Sequence, residues 1–292
     1  MGVIEAALEK LRRSGAVPET TSGQPSSVAL DSWATDASAE AVSSGRQIAL
    51  DRLRLRAAGY LPEVQEEQRF ADHYREIKRP IIRRALAANA PPSERLILVT
   101  SSLPAEGKTF TALNLALSMA RERDLSVLLI DGDFPKAHIS RALDINEEPG
   151  LLDAVADKAR DVESLVLRTD VKGLDILTGG SSPSGAVELV ASARMSEVVG
   201  RLLARSPRRM VIIDSSPLLV SSEARALIQL ASQIILVARS GLTPRRALQD
   251  SIAQIDEKKL QGLVLNNAYA KTQNQYYGYP KYGKTETGGD HV

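Results

Sequence analysis

RLILVTSSLPAEGKTF, residues 95–110, reads as a short buried strand, a tight loop and the opening of a helix. Leu96, Ile97, Leu98 and Val99 are bounded by small polar residues, the pattern of a central parallel strand. Gly107-Lys108-Thr109 then opens an apolar helix carrying Leu113, Leu115, Ala116 and Met119. Against the phosphate-loop pattern G-x-x-x-x-G-K-[ST], every defining position matches except the first, where Ser102 stands for Gly. Such a loop points backbone N–H groups at phosphate oxygens from the positive end of a helix. The candidate nucleotide-binding set is therefore Ser102, Leu103, Pro104, Ala105, Glu106, Gly107, Lys108, Thr109 and Phe110. Lys108 would reach the β- and γ-phosphates, and Thr109 would offer a hydroxyl to Mg²⁺. The motif implies a nucleoside triphosphate. It does not say what becomes of the phosphate.

Downstream, apolar strands alternate with helical segments. Strands are expected at 125–130, 174–177, 210–213, 234–237 and 260–265, and helices at 151–158, 187–203, 223–231 and 244–255. The alternation predicts an α/β fold of the P-loop type, a mainly parallel sheet with helices on both faces. Charged groups at the carboxyl ends of the strands then share one rim, where open α/β sheets bind ligands.

Two clusters place carboxylates on that rim. The apolar run Leu128-Leu129-Ile130 leads into Asp131 and Asp133, and Val211-Ile212-Ile213 leads into Asp214. An apolar strand ending in Asp beside a phosphate loop orders Mg²⁺ through its water shell, which fits Asp214. Two carboxylates two residues apart offer one group near a metal and one near a nucleophilic hydroxyl, as general base. Asp and Gly also favour turns, so the plain alternative is a pair of strand-terminal turn formers.

The flanks differ in character. Residues 3–13 predict a short amphipathic helix with Ile4, Leu8 and Leu11 at helical spacing, too short to be stable alone. Residues 14–45 are small and polar and predict a flexible linker; within it Trp33, the only tryptophan, is either incidental or a docking motif. Residues 46–90 predict a helical segment. Its second helix, about 66–87, has Phe70, Tyr74, Ile77 and Ile81 on one side and Arg75, Lys78, Arg79, Arg83 and Arg84 on the other, and Pro80 is expected to kink or divide it. That basic side reads as a solvated surface or a contact with a neighbouring subunit. Residues 91–267 form the expected nucleotide-binding domain. Residues 268–292 predict a disordered tail holding five of the seven tyrosines, Tyr269, Tyr276, Tyr277, Tyr279 and Tyr282.

The whole chain sets further bounds. With 292 residues, 43% hydrophobic and 25% charged, it has the composition of a soluble globular protein. A net charge of +1 gives no reason to expect nucleic acid as a partner. The lack of cysteine excludes disulfides, thiolate metal sites and cysteine nucleophiles. No apolar run approaches a transmembrane length, and Glu5, Glu9 and Lys10 interrupt any signal-peptide core. Ala6 breaks the myristoylation pattern. A soluble, cytoplasmic protein is expected.

Taken together, Ser102 to Thr109, the Asp-x-Asp pair at Asp131 and Asp133, and the Asp-Ser-Ser-Pro run from Asp214 to Pro217 resemble Walker A, A′ and B of the bacterial tyrosine kinases. These are P-loop protein kinases unrelated to the eukaryotic kinase fold, with roles in exopolysaccharide and capsule synthesis. The resemblance runs from about Gln68 to the end. GVIEAALEKLRRSG and YREIKRPIIRRAL further resemble the soluble autokinases of exosortase and polysaccharide loci. It implies ATP and Mg²⁺ as cofactors, Lys108 on the phosphates, Asp133 and Asp214 supporting the metal with Thr109, and Asp131 as base for a tyrosine hydroxyl. It implies that the tail tyrosines are autophosphorylated by another subunit. It also implies self-association and activation by a separate membrane chain-length regulator, which would recruit the kinase to the inner face of the membrane.

Two positions depart from the family pattern. Lys136 stands about where an arginine usually follows the paired aspartates, keeping charge but losing the planar fork. The subunit-contact motif Glu-x-x-Arg-x-x-Arg is represented only by Asp72, Arg75 and Lys78. Two other functions share these motifs. An ATPase switch of the partition or septum-positioning kind carries an extra lysine just after the first loop position, where this chain has Leu103. A regulatory nucleotide-binding partner without useful kinase turnover has Lys136 as its one residue hint.

Overall fold

In the computed structural model, which describes residues 46–181 and 185–268, one sheet runs through the chain and helices cover both of its faces. The elements in order are β1 (Gln47–Ile48), α1 (Arg52–Ala57), α2 (Glu67–Ala85), β2 (Leu96–Ser101), α3 (Lys108–Met119), β3 (Ser126–Gly132), α4 (His138–Ala142) and α5 (Leu151–Ala156). Then follow β4 (Leu167–Thr169), β5 (Leu174–Leu177), α6 (Ala186–Val190), α7 (Ala193–Ala204), β6 (Arg209–Ser215), α8 (Ser222–Leu230), β7 (Gln233–Arg239), α9 (Arg245–Gln254) and β8 (Leu260–Asn266). The expected helix 3–13, linker 14–45 and tail tyrosines lie outside the described residues.

The sheet order is β1-β4-β5-β3-β6-β2-β7-β8. All pairings are parallel except β4 with β5. The central strands are apolar on both faces, and their alternation decides which side each residue supports. Leu96, Leu98, Leu128, Ile130, Val211 and Ile213 pack with α5 to α9. Ile97, Val99, Val127, Leu129, Met210 and Ile212 pack with α1 to α4. Each fully buried aliphatic chain contributes roughly 1.5–3 kcal/mol of transfer free energy, so this doubled core is the main support of the rim above it.

Four local features differ from the sequence expectation. Residues 46–55 are not all helical: Gln47 and Ile48 pair with Arg168 and Thr169 as an edge strand. The helix itself starts at Asp51, whose side chain accepts a hydrogen bond from the Arg54 backbone N–H. Of the two outcomes expected at Pro80, division does not occur, since helix α2 continues through it; the carbonyl that loses its partner there belongs to Glu76, on an exposed turn where water can serve it. The segment 187–203 is two helices, because Ser192 caps α7 by accepting from Met195 N–H and donates to the Leu189 carbonyl of α6. The basic side of α2 is only partly solvated. Lys78 is buried, donating to the Ser118 carbonyl and pairing with Glu122, both at 2.7 Å. Arg84 forks onto Glu94 and reaches the Lys258 and Ser232 carbonyls. Of the residues matching the subunit-contact motif, Lys78 is therefore turned inward, while Asp72 and Arg75 pair with each other at 2.8 Å.

Candidate active site

The rim is assembled by three adjacent strands. β6 lies between β2 and β3, and the register sets Val99 opposite Asp214 and Asp214 opposite Asp131. β2 delivers the phosphate loop; β3 and β6 deliver the two acidic clusters. Lys108, Thr109, Asp131, Asp133 and Asp214 are all buried.

The loop is held from behind by the ends of β7, β8 and α9. Ser251 donates to the Ser102 hydroxyl at 2.8 Å inside the protein. That contact gives the serine at the first loop position a use that glycine would lack. Glu106, though charged, is 1% exposed. Its carboxylate accepts from the Leu103 N–H and the Thr243 hydroxyl, so it ties the loop to the turn after β7. Arg239 donates to the Ala105 carbonyl at 3.1 Å, and Asn266 donates to the Glu106 carbonyl at 3.1 Å. Gly107 opens α3 at φ +94°, and a Cβ there would fall 1.9 Å from the Asn266 side-chain nitrogen. Both the conformation and the space require glycine.

Inside the loop, the Lys108 ammonium lies 2.9 Å from Asp133 Oδ2. Ser216 donates to Asp133 Oδ1 at 2.7 Å. Asp131 Oδ2 accepts from both the Ser140 N–H and hydroxyl, at 2.8 and 2.7 Å, while its Oδ1 has no hydrogen-bond partner. Both oxygens of Asp214 are buried and unpartnered.

Charge follows from that layout. Burial pushes Asp214 up to about 7; Asp131 and Asp133 add to the rise and Lys108 opposes it. Asp131 is also raised by burial, with the Ser140 hydrogen bonds offsetting part of it. For Asp133 burial acts in the same sense, but Lys108 and Ser216 outweigh it and hold it below the usual range. Burial disfavours the Lys108 charge, yet Asp214 and Asp133 together raise its pKa. A buried carboxylate with no donor is costly unless a proton or cation arrives. The donor set therefore fits a hard divalent cation, which Thr109, Asp133 and Asp214 would hold.

All the predicted residues of the loop and of both acidic clusters converge here. The predicted tail tyrosines lie outside the described residues. Lys136 is exposed in the turn after Asp133, its N–H bonded to the Asp133 carbonyl. Sequence reading missed Ser140, Ser251 and Asn266, which carry no motif and act through contacts distant in sequence. It also missed Tyr60. That residue follows Gly59 at φ +75° and is fixed to α3 by the Asn114 side chain, which donates to its carbonyl at 2.8 Å. Its phenol is raised by burial and by the charge of Asp214, against which Lys108 acts. The phenol thus lies within the field of the site.

No family model matches the chain. It is 32% identical over 186 residues to the tyrosine-protein kinase YwqD of Bacillus subtilis, a match covering 63% of this chain and 76% of that protein. It is 31% identical over 199 residues to the putative tyrosine-protein kinase EpsB of Ralstonia solanacearum, covering 65% of this chain and 26% of that one. The chain thus spans about a quarter of the length of some relatives and most of another. Among solved structures, the VpsO kinase domain superposes with a TM-score of 0.58 at 28% identity, covering 71% of this chain and all of that domain.

Proposed function

The chain belongs to the bacterial tyrosine-protein kinases, and from that premise we propose that it transfers the γ-phosphate of ATP to tyrosine. The supporting observation is a lysine stored on Asp133 at 2.9 Å beside an Asp214 whose two buried oxygens have no partner. Lys108 exchanges Asp133 for phosphate oxygens. Asp133, once released, would hold Mg²⁺ together with Asp214 and Thr109, and the ion would supply charge neutralisation on the phosphates. Asp131, raised by burial and with Oδ1 unpartnered, takes the proton of the attacking phenol.

The tyrosines phosphorylated are Tyr269, Tyr276, Tyr277, Tyr279 and Tyr282 of a second copy, in a self-associated state. The role assigned to it is in exopolysaccharide or capsule synthesis, with a separate membrane chain-length regulator as activator at the inner face of the membrane. No helix among the described residues is long and apolar enough to cross a membrane. The positioning-ATPase alternative lacks its lysine at Leu103, whose N–H is instead taken up by Glu106.

The test is incubation with ATP and Mg²⁺ followed by phosphotyrosine mapping. Lys108→Met and the variant with all five tail tyrosines changed to Phe should each lose the signal. Mixing Lys108→Met with that Phe variant should restore phosphate on the Lys108→Met tail if transfer is between copies. Phosphate release without phosphotyrosine would favour the switch.

A further inference from the structure

A groove of about 1030 Å³ opens between α1, α2 and α3, toward the end of α3 remote from the phosphate loop. Leu50, Leu55, Phe70 and Tyr74 supply apolar floor. Phe70 is half-buried, its ring edge-on to Phe110 at 5.4 Å. Arg52, Arg121, Arg123 and Lys172 stand on the rim, all exposed. The rim acids are committed elsewhere: Glu67 to Arg56, Glu122 to Lys78, and Asp170 to the Leu50 N–H. The four cations have no ion-pair partner among the described residues. An apolar floor under an unpaired basic rim suits an acidic segment with a large apolar side chain.

The chain itself holds such a segment next to the groove. Residues 14–45 contain Glu19, Asp31, Asp36 and Glu40 and no lysine or arginine. The largest apolar side chains among them are Leu30 and Trp33. The described chain begins at Arg46 and reaches the groove wall within a few residues, at Leu50 and Arg52. The stretch from Trp33 to Arg46 spans up to about 45 Å when extended, so reach is no obstacle.

We propose that residues 28–42 dock in this groove of their own chain, with Leu30 and Trp33 on the apolar floor and Asp31, Asp36 and Glu40 against the basic rim. No regular secondary structure is needed. The segment adds a layer over α2 and α3 where the groove leaves them open.

The single tryptophan makes the test direct, and it reads nothing from catalysis. In the full chain, Trp33 emission should be blue-shifted and its acrylamide quenching at least threefold weaker than in urea. The double variant Arg121→Glu/Arg123→Glu, and separately 1 M salt, should move both readings toward the unfolded values while the circular dichroism melt stays intact. Adding Asp31→Lys, Asp36→Lys and Glu40→Lys to that double variant should restore protection. Native emission equal to that in urea would overturn the proposal, as would protection indifferent to charge reversal. Protection that fades on dilution would place the segment on a second copy and overturn it equally.

Discussion

Asp131 and Asp214 are register partners on neighbouring parallel strands, and neither is exposed. The charge of Asp131 raises the pKa of Asp214, and Asp133 raises both. Lys108 is the cation set among them, and its ion pair goes to Asp133. Three acids therefore share one lysine, and a proton or a metal ion completes the balance.

That imbalance is measurable as pH-dependent stability. Asp214 has a folded pKa of about 7 against an ordinary 3.8. Between those values the folded protein holds a proton that the unfolded chain releases. Stability from this group is therefore present at low pH and lost as pH rises through about 7. Asp214→Asn should raise the melting temperature at pH 8 by a stabilisation on the order of 1–3 kcal/mol, or about 2–4 °C per kcal/mol. At pH 5 the gain should be smaller, and it should vanish only as pH falls below the ordinary 3.8. An equal gain at both pH values would contradict a raised Asp214.

Gly107→Ala should abolish nucleotide binding, measured by calorimetry with ADP and Mg²⁺. The new Cβ collides with Asn266 and cannot sit comfortably at φ +94°. Asn266→Ala in the same chain should recover only part of the affinity, because the backbone strain of about 1–2 kcal/mol remains. Full recovery would mean that the collision alone mattered.

Ser251→Ala strands the Ser102 hydroxyl in the interior and should cost about 1–3 kcal/mol in urea unfolding. Adding Ser102→Gly removes the stranded group and should return part of that loss, a non-additivity a double-mutant cycle would register.

Tyr60 offers a spectroscopic report on the site. With Tyr74 and the five tail tyrosines changed to Phe, the remaining phenol should ionise above the ordinary 10.0. Asp214→Asn should lower that value. No movement on Asp214→Asn would detach Tyr60 from the cluster.

The phosphate loop, both acidic clusters and the six parallel strands from β5 and β3 through β8 were legible in the sequence. Their residues combine long apolar runs with fixed local spacing, such as Leu96–Val99 before Gly107-Lys108-Thr109. The strands β1 and β4 were not legible, because two and three residues are too few for alternation to register. The split at Ser192 was hidden by an apolar period that continues across it. The basic side of α2 misled for another reason: composition cannot say that Lys78 faces Glu122 and Ser118 of a distant helix end. The supports from Ser140, Ser251 and Asn266 are tertiary contacts, so they exist only once the sheet has assembled.

Asn266, the last residue of β8, reaches back to the Glu106 carbonyl and walls in Gly107. The chain toward Tyr269 leaves from that same residue within a few bonds. A truncation that removed Asn266 with the tail would therefore also remove the backstop of the phosphate loop. The residue at which the sheet ends is the same one that closes that loop from behind.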